Sequence, residues 1–208
     1  MFRRLSILVR RASDERATFA SGWEHHGTIV KHLPGIRSYQ QNHVVEEFGH
    51  VGDGPPFRVD GVVELRFDSP EAMKEAFASE AATPVKADEP NFLGHGTGYA
   101  MAIAQTVRTA EDGSKLIVVL RHNGHTGDAA LIEASARALP GCIHMIHDEV
   151  VTVIARPGIR EGPQQTDVFL HVYFDSEENA REAGRSLARQ KTSGAAFSVY
   201  RVRTLTVV

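Results

Sequence analysis

The stretch Gly61-Val-Val-Glu-Leu-Arg-Phe-Asp-Ser69 returns as Val168-Phe-Leu-His-Val-Tyr-Phe-Asp-Ser176, 107 positions later (168 against 61). Upstream of each copy stands Leu33-Pro34-Gly35 and Leu139-Pro140-Gly141, 106 apart (139 against 33), each followed by a strand-like run. Apolar runs open both halves, Leu5 to Val9 and Leu116 to Leu120, and strand-like runs close them, Tyr99 to Val107 and Phe197 to Val207. Four landmarks in the same order, two of them 106 and 107 apart, mark an internal duplication. The halves are expected at 1–109 and 114–208, joined at the polar run Thr109-Ala-Glu-Asp-Gly-Ser114.

Within the first half, Phe19, Trp23, His26, Val30 and Leu33 step by four and three, which is one face of a helix. That helix is expected from Ser13, a capping serine followed by Asp14 and Glu15, to about His32, with Pro34-Gly35 ending it. A strand Ile36 to Val45 follows, then a Gly/Pro loop at 49–56, then a strand Gly61 to Phe67. Ser69-Pro70 is a cap with a first-turn proline, and Met73, Ala76 and Phe77 keep helical spacing. The stretch Ala82 to Gly98 reads as a loop leading into the last strand.

The order β-α-β-β-α-β is the split βαβ unit, an antiparallel sheet with both helices on one face. Strand alternation sends Val63, Leu65 and Phe67 to one face and Val62, Glu64 and Arg66 to the other, so the helix-free face needs cover. A second copy supplies it. The fold expected is α+β: two ferredoxin-like βαββαβ units in tandem, forming an intramolecular dimeric-type α/β barrel with antiparallel sheets.

Composition agrees with an ordinary globular chain. With 208 residues, 42% hydrophobic and 24% charged, it should bury roughly 70% of its extended surface without needing a disulfide or a metal. Cys142 is the only cysteine, which excludes an intrachain disulfide and suits a cytoplasmic setting. Arg10 and Arg11 cut the apolar run Leu5 to Val9 too short for an export signal, so it reads as a strand, and no run reaches membrane-spanning length. The net charge of −3 and the scattered basic residues argue against nucleic acid as a partner.

Trp23-Glu-His-His-Gly-Thr-Ile-Val-Lys-His-Leu-Pro-Gly-Ile-Arg-Ser-Tyr-Gln-Gln-Asn-His-Val44, Asp60 to Ser69, and Asp88-Glu-Pro-Asn-Phe92 together resemble the EthD family of dimeric α/β-barrel proteins, named for ethyl tert-butyl ether degradation. The family pattern sets a histidine eight residues before the Pro-Gly, usually followed by a small residue and a proline. His26 fits, with Thr28 in place of the proline. The second half has Ile132 at the histidine's place, so the resemblance puts any site in the first half.

His26 shares the apolar helix face with Trp23, and a half-buried imidazole can take and give protons near neutral pH. The plainer reading is a core histidine bonded to a backbone carbonyl. Tyr39 and Asn42, on the next strand, resemble family positions and could steady charge on a ligand oxygen, although their opposite parity lets only one face His26. A buried core tyrosine is the plainer reading of Tyr39. Phe92 and His95 are further candidates for the pocket wall. Glu64 and His171 hold equivalent places in the two halves, so the pseudo-twofold should bring them together, as a relay or as a polar contact fixing register.

No metal site is expected: His144 and His147 diverge along a strand, and His122 and His125 lack completing ligands. Gly94-His-Gly-Thr-Gly98 lacks the context of a phosphate loop and reads as a connection, and Cys142 reads as inert packing. The resemblance implies a cofactor-independent enzyme moving protons on a small apolar or aromatic molecule, as an isomerase, cyclase, decarboxylase or monooxygenase. The alternatives are a non-catalytic, stress-related barrel holding a hydrophobic ligand, and a haem-binding barrel with an axial histidine. A barrel completed within one chain suits a monomer or a homodimer.

Overall fold

The computed structural model describes residues 1–102, 114–154 and 164–208. The first half runs β1 (Phe2–Arg10), α1 (Arg16–Val30), β2 (Ser38–Val51), β3 (Gly61–Phe67), α2 (Pro70–Ala78), α3 (Ala82–Asp88), a 3-10 turn (Glu89–Asn91) and β4 (Leu93–Met101). The second runs β5 (Lys115–Arg121), α4 (Thr126–Arg137), β6 (Cys142–Ile154), β7 (Val168–Phe174), α5 (Glu177–Leu187) and β8 (Ala196–Thr206). The eight strands close into one barrel in the order β1-β3-β2-β8-β5-β7-β6-β4. Each half contributes four adjacent strands, and the seams between halves are the antiparallel pairs β2–β8 and β4–β6.

The repeated sequence signals have local causes. Gly35 and Gly141 both carry a positive φ, 71° and 74°, which a glycine adopts without steric cost where a helix ends and the chain turns into a strand. Ser69 and Ser176 each cap the next helix, accepting hydrogen bonds from the amides of Ala72 (3.1 Å) and Asn179 (3.2 Å).

Alternation along the strands sorts the apolar side chains into three layers. Leu8, Val63, Leu65 and Phe67 pack under α1 to α3 with Phe19, Trp23 and Phe92. Leu5, Ile7, Val62, Ile117, Val119, Phe169 and Tyr200, drawn from both halves, fill the barrel lumen. Leu116, Val118, Leu170 and Val172 pack under α4 and α5. The lumen is therefore the cover each half requires of the other.

Three expectations are corrected. Helix α1 starts at Arg16 and not at Ser13, with Glu15 in the cap position and no side-chain cap; the Ser13 hydroxyl donates instead to Asp14 (3.1 Å), whose other oxygen accepts from Arg11 (2.8 Å). Strand β2 continues past Val45 to Val51, because β8 offers a pairing partner along that length, with two bulges absorbing the twist. The stretch 82–98 is no plain loop: it folds as α3, where Pro84 sits in the first turn and breaks no helical bond, and then as β4, which pairs with β1 from Leu93 onward. Positions 103–107 of the expected last strand, and the expected joint at 109–113, lie outside the described residues.

Candidate functional site

Between the outer face of the first sheet and its helices lies a small cavity walled by Leu8, Trp23, His26, Tyr39, Val85 and Phe92, among others. Helix α1 carries His26 inward, 5% exposed, on the face shared with Trp23 and Phe19. Its Nδ1 lies 2.9 Å from Asp88 Oδ2, and its ring stands 5.0 Å from that of Phe92. Burial raises the pKa of the Asp88 carboxyl, but hydrogen bonds from Asn91 and His26 outweigh this and hold it below the ordinary carboxylate value. An imidazole paired with an ionised carboxylate through Nδ1 is oriented to exchange protons through Nε2.

Tyr39 is in the same wall. Its hydroxyl accepts from Trp23 Nε1 and from Gln41 Nε2, both at 3.0 Å. Trp23 in turn packs on the ring of His43, 4.4 Å away. Burial, with Arg203 nearby, presses the His43 pKa down to about 4, so this ring stays neutral. A folded value below the unfolded one adds stability above pH 6.5 that is lost as pH falls toward 4. Urea unfolding at pH 7.5 and 4.5 should show His43 accounting for roughly 2–3 kcal/mol of the acid loss, which His43→Leu should remove.

The cavity volume is about 30 Å³, room for a water or two and not for an organic substrate. Phe77, Leu93 and Glu89 form its half-buried rim. The hollow beside His26 is far smaller than a porphyrin. Among the described residues no group of three or more His, Cys, Asp or Glu is arranged to hold a metal ion.

The structure divides the predicted residues between two places. His26, Trp23, Tyr39 and Phe92 come together at the cavity. Asn42, Glu64 and His171 do not: alternation turns them into the barrel lumen, on the far side of the sheet. His95 is also absent from the cavity wall; it is buried in β4, opposite Val9 of β1.

In the lumen, Glu64 and His171 do meet, with Oε1 to Nδ1 at 3.4 Å, as the repeat symmetry implied. The sequence reading missed their surroundings. Glu64 accepts from Arg3 Nη2 (2.6 Å), Lys115 Nζ (2.9 Å) and Asn42 Nδ2 (2.9 Å). Arg3 also donates to Asp148, and His171 Nε2 lies 3.3 Å from the same carboxylate. All five ionisable side chains are at most 2% exposed.

Burial opposes ionisation of Glu64, yet the nearby charges hold its pKa well below the ordinary value; burial likewise pulls Lys115 and His171 down. With the imidazole neutral, Arg3 and Lys115 are the cations that balance Glu64 and Asp148. Arg3 and Glu64 belong to the first half, and Lys115, Asp148 and His171 to the second, so the cluster is an ionic joint between halves. The Asp88 partner was hidden in a stretch read as a loop, although Ala82 and Val85 around a first-turn proline were a helical signal.

Residues 13–96 match the EthD domain family. Among solved structures, an anthrone oxidase-like protein superposes with a TM-score of 0.60 at 14% identity, over 99% of this chain and 93% of that one. A monooxygenase candidate from Fusobacterium nucleatum gives 0.55 at 8% identity, over 97% and 92%. An ethyl tert-butyl ether degradation (EthD) family protein from Bacillus halodurans covers 51% of this chain and 100% of its own, with 18% identity and a TM-score of 0.38. Likeness at such low identity, where the TM-score is high enough, establishes the shared barrel alone. No curated protein sequence matches the chain. No described helix is long and apolar enough to cross a membrane.

Proposed function

We propose that the amino-terminal half, whose residues 13–96 match the EthD domain, is an acid/base catalyst that moves a proton on a small apolar or aromatic organic molecule without a cofactor. The observation that carries this reading is the His26–Asp88 pair, 2.9 Å apart, set in a wall of Trp23, Val85, Phe92 and Leu8. An apolar wall excludes water from a weakly acidic C–H or O–H, and a carboxylate-held imidazole then accepts or returns the proton. Tyr39 lies on the same wall, where its hydroxyl can turn toward charge developing on a substrate oxygen.

Substrate entry requires the cavity to widen. The rim residues Phe77 and Leu93 are the ones to swing outward, since both are only half-buried while Leu8, Trp23 and Phe92 are fixed in the core. The match to the EthD domain supports catalysis over simple sequestration, and so does Asp88, whose carboxylate can stabilise a positive charge forming on the ring.

A panel of phenols, lactones and aromatic acids, followed by absorbance, identifies a turned-over compound. Asp88→Asn should then lower kcat with little change in KM and displace the acidic limb of the pH–rate profile, because the ring loses the charge that favours its protonated form. An unchanged kcat and profile in that variant would remove Asp88 from the mechanism.

A further inference from the structure

At the carboxyl-terminal end of β1, where Val9 points to the opposite face of the sheet from Leu8 of the histidine cavity, lies a second hollow whose lining includes Val9, Arg10, Arg11, Arg16, Arg58 and Asp60. The chain carries a net charge of −3, yet four arginines converge here against two lining carboxylates, Asp60 and Glu47, with Arg11 held from outside the hollow by Asp14 (2.8 Å). Two of the guanidiniums are prearranged. Asp60 accepts from both the amide (3.0 Å) and the guanidinium of Arg10, and its Oδ1 lies 3.9 Å from Arg16 Nη2. The Asp60 side chain is only 10% exposed, while those of Arg10 and Arg16 are 35% and 41% exposed, so the holder is sunk and the cations face outward.

The floor is rigid and apolar. Val9, Phe57 and Val59 belong to the lumen core, each 5% exposed or less. The strap that carries them is pinned twice: Gln164 of the second half brackets the backbone of Arg58 at 2.8 and 2.9 Å, and Tyr200 donates to the Phe57 carbonyl at 2.6 Å. Helix α1 begins at Arg16 with no side-chain cap, so its positive end adds to the same field. Solvated arginines alone would not need a buried carboxylate to aim them. The hollow measures about 290 Å³, at the small end of ligand pockets, which start at roughly 300 Å³, and suits a single ring or a short chain.

We infer that this hollow binds a small organic carboxylate, with its charged end against the guanidinium edges of Arg10 and Arg16 that Asp60 leaves exposed and its apolar body over Val9 and Val59. Guanidinium pairs select planar oxyanions, and the valine floor favours an organic acid over inorganic phosphate. The site is independent of the histidine cavity and of the reaction proposed there.

Calorimetric titration of the full chain with benzoate tests it. Saturable binding is expected that weakens with added salt, is absent with benzyl alcohol, and falls about tenfold or more in Arg16→Gln, which loses one charged hydrogen-bond donor. Arg16 is partly exposed at the start of a helix, so this variant keeps the fold, which a matching urea transition verifies. His26→Ala should bind benzoate unchanged. Equal affinity in Arg16→Gln, tighter binding of inorganic phosphate than of benzoate, or loss of binding in His26→Ala alone would each overturn the assignment.

Discussion

Lys115→Met is expected to destabilise the protein by about 3–5 kcal/mol at pH 7, the usual cost of leaving a buried charge without its partner. Lys115 donates to both Glu64 and Asn42 at 2.9 Å, and its removal leaves two buried carboxylates facing one guanidinium. Adding Glu64→Gln restores the charge balance and should recover a large part of the loss.

The pH dependence has a definite sign. Glu64 in the native protein titrates well below its ordinary value, so its contribution to stability is present above pH 4.5 and is lost as pH falls through the lower folded value. Without Lys115 that folded value rises, and the penalty of the variant should shrink between pH 7 and 4. Urea midpoints for the three proteins across this range decide the matter. A Lys115→Met loss below 1 kcal/mol, flat with pH, would show that the ionic cluster adds nothing to the strand pairing and packing that join the halves.

The second large effect concerns turnover. For a substrate found by screening, His26→Ala should lower kcat by about 10²–10⁴-fold, the span commonly attributed to one general acid/base. Alanine is a strong helix former and leaves α1 intact, while the space vacated against Phe92 can admit free imidazole. Added imidazole should therefore restore part of the rate in this variant and none in the wild type. Undiminished turnover in His26→Ala would reduce the residue to packing.

The architecture was legible because the duplicated signals are local ones: a left-handed glycine after Leu-Pro, and an Asp-Ser cap after a strand. Strand parity even separated Tyr39 from Asn42, and the structure puts them on opposite sides of the sheet. What escaped depends on closure. Arg3 and Lys115 flank apolar runs, where a charge ordinarily reaches solvent, and only the meeting of β1, β3, β5, β6 and β7 around one lumen makes them interior. His95 was placed at the wrong site for a related reason. Its glycine-rich surroundings look like a connection until β1 supplies a pairing edge.

Ile132 stands in α4 where the repeat would put a histidine, 2% exposed and packed among aliphatic neighbours. In a symmetric assembly of two identical subunits, any change to the catalytic position strikes both copies at once. Fusing the copies breaks that bond: one half can diverge as scaffold while, on the proposed function, its twin keeps the chemistry. With His26 in one half and Ile132 in the other, titration of the histidine cavity should saturate at a single equivalent per chain.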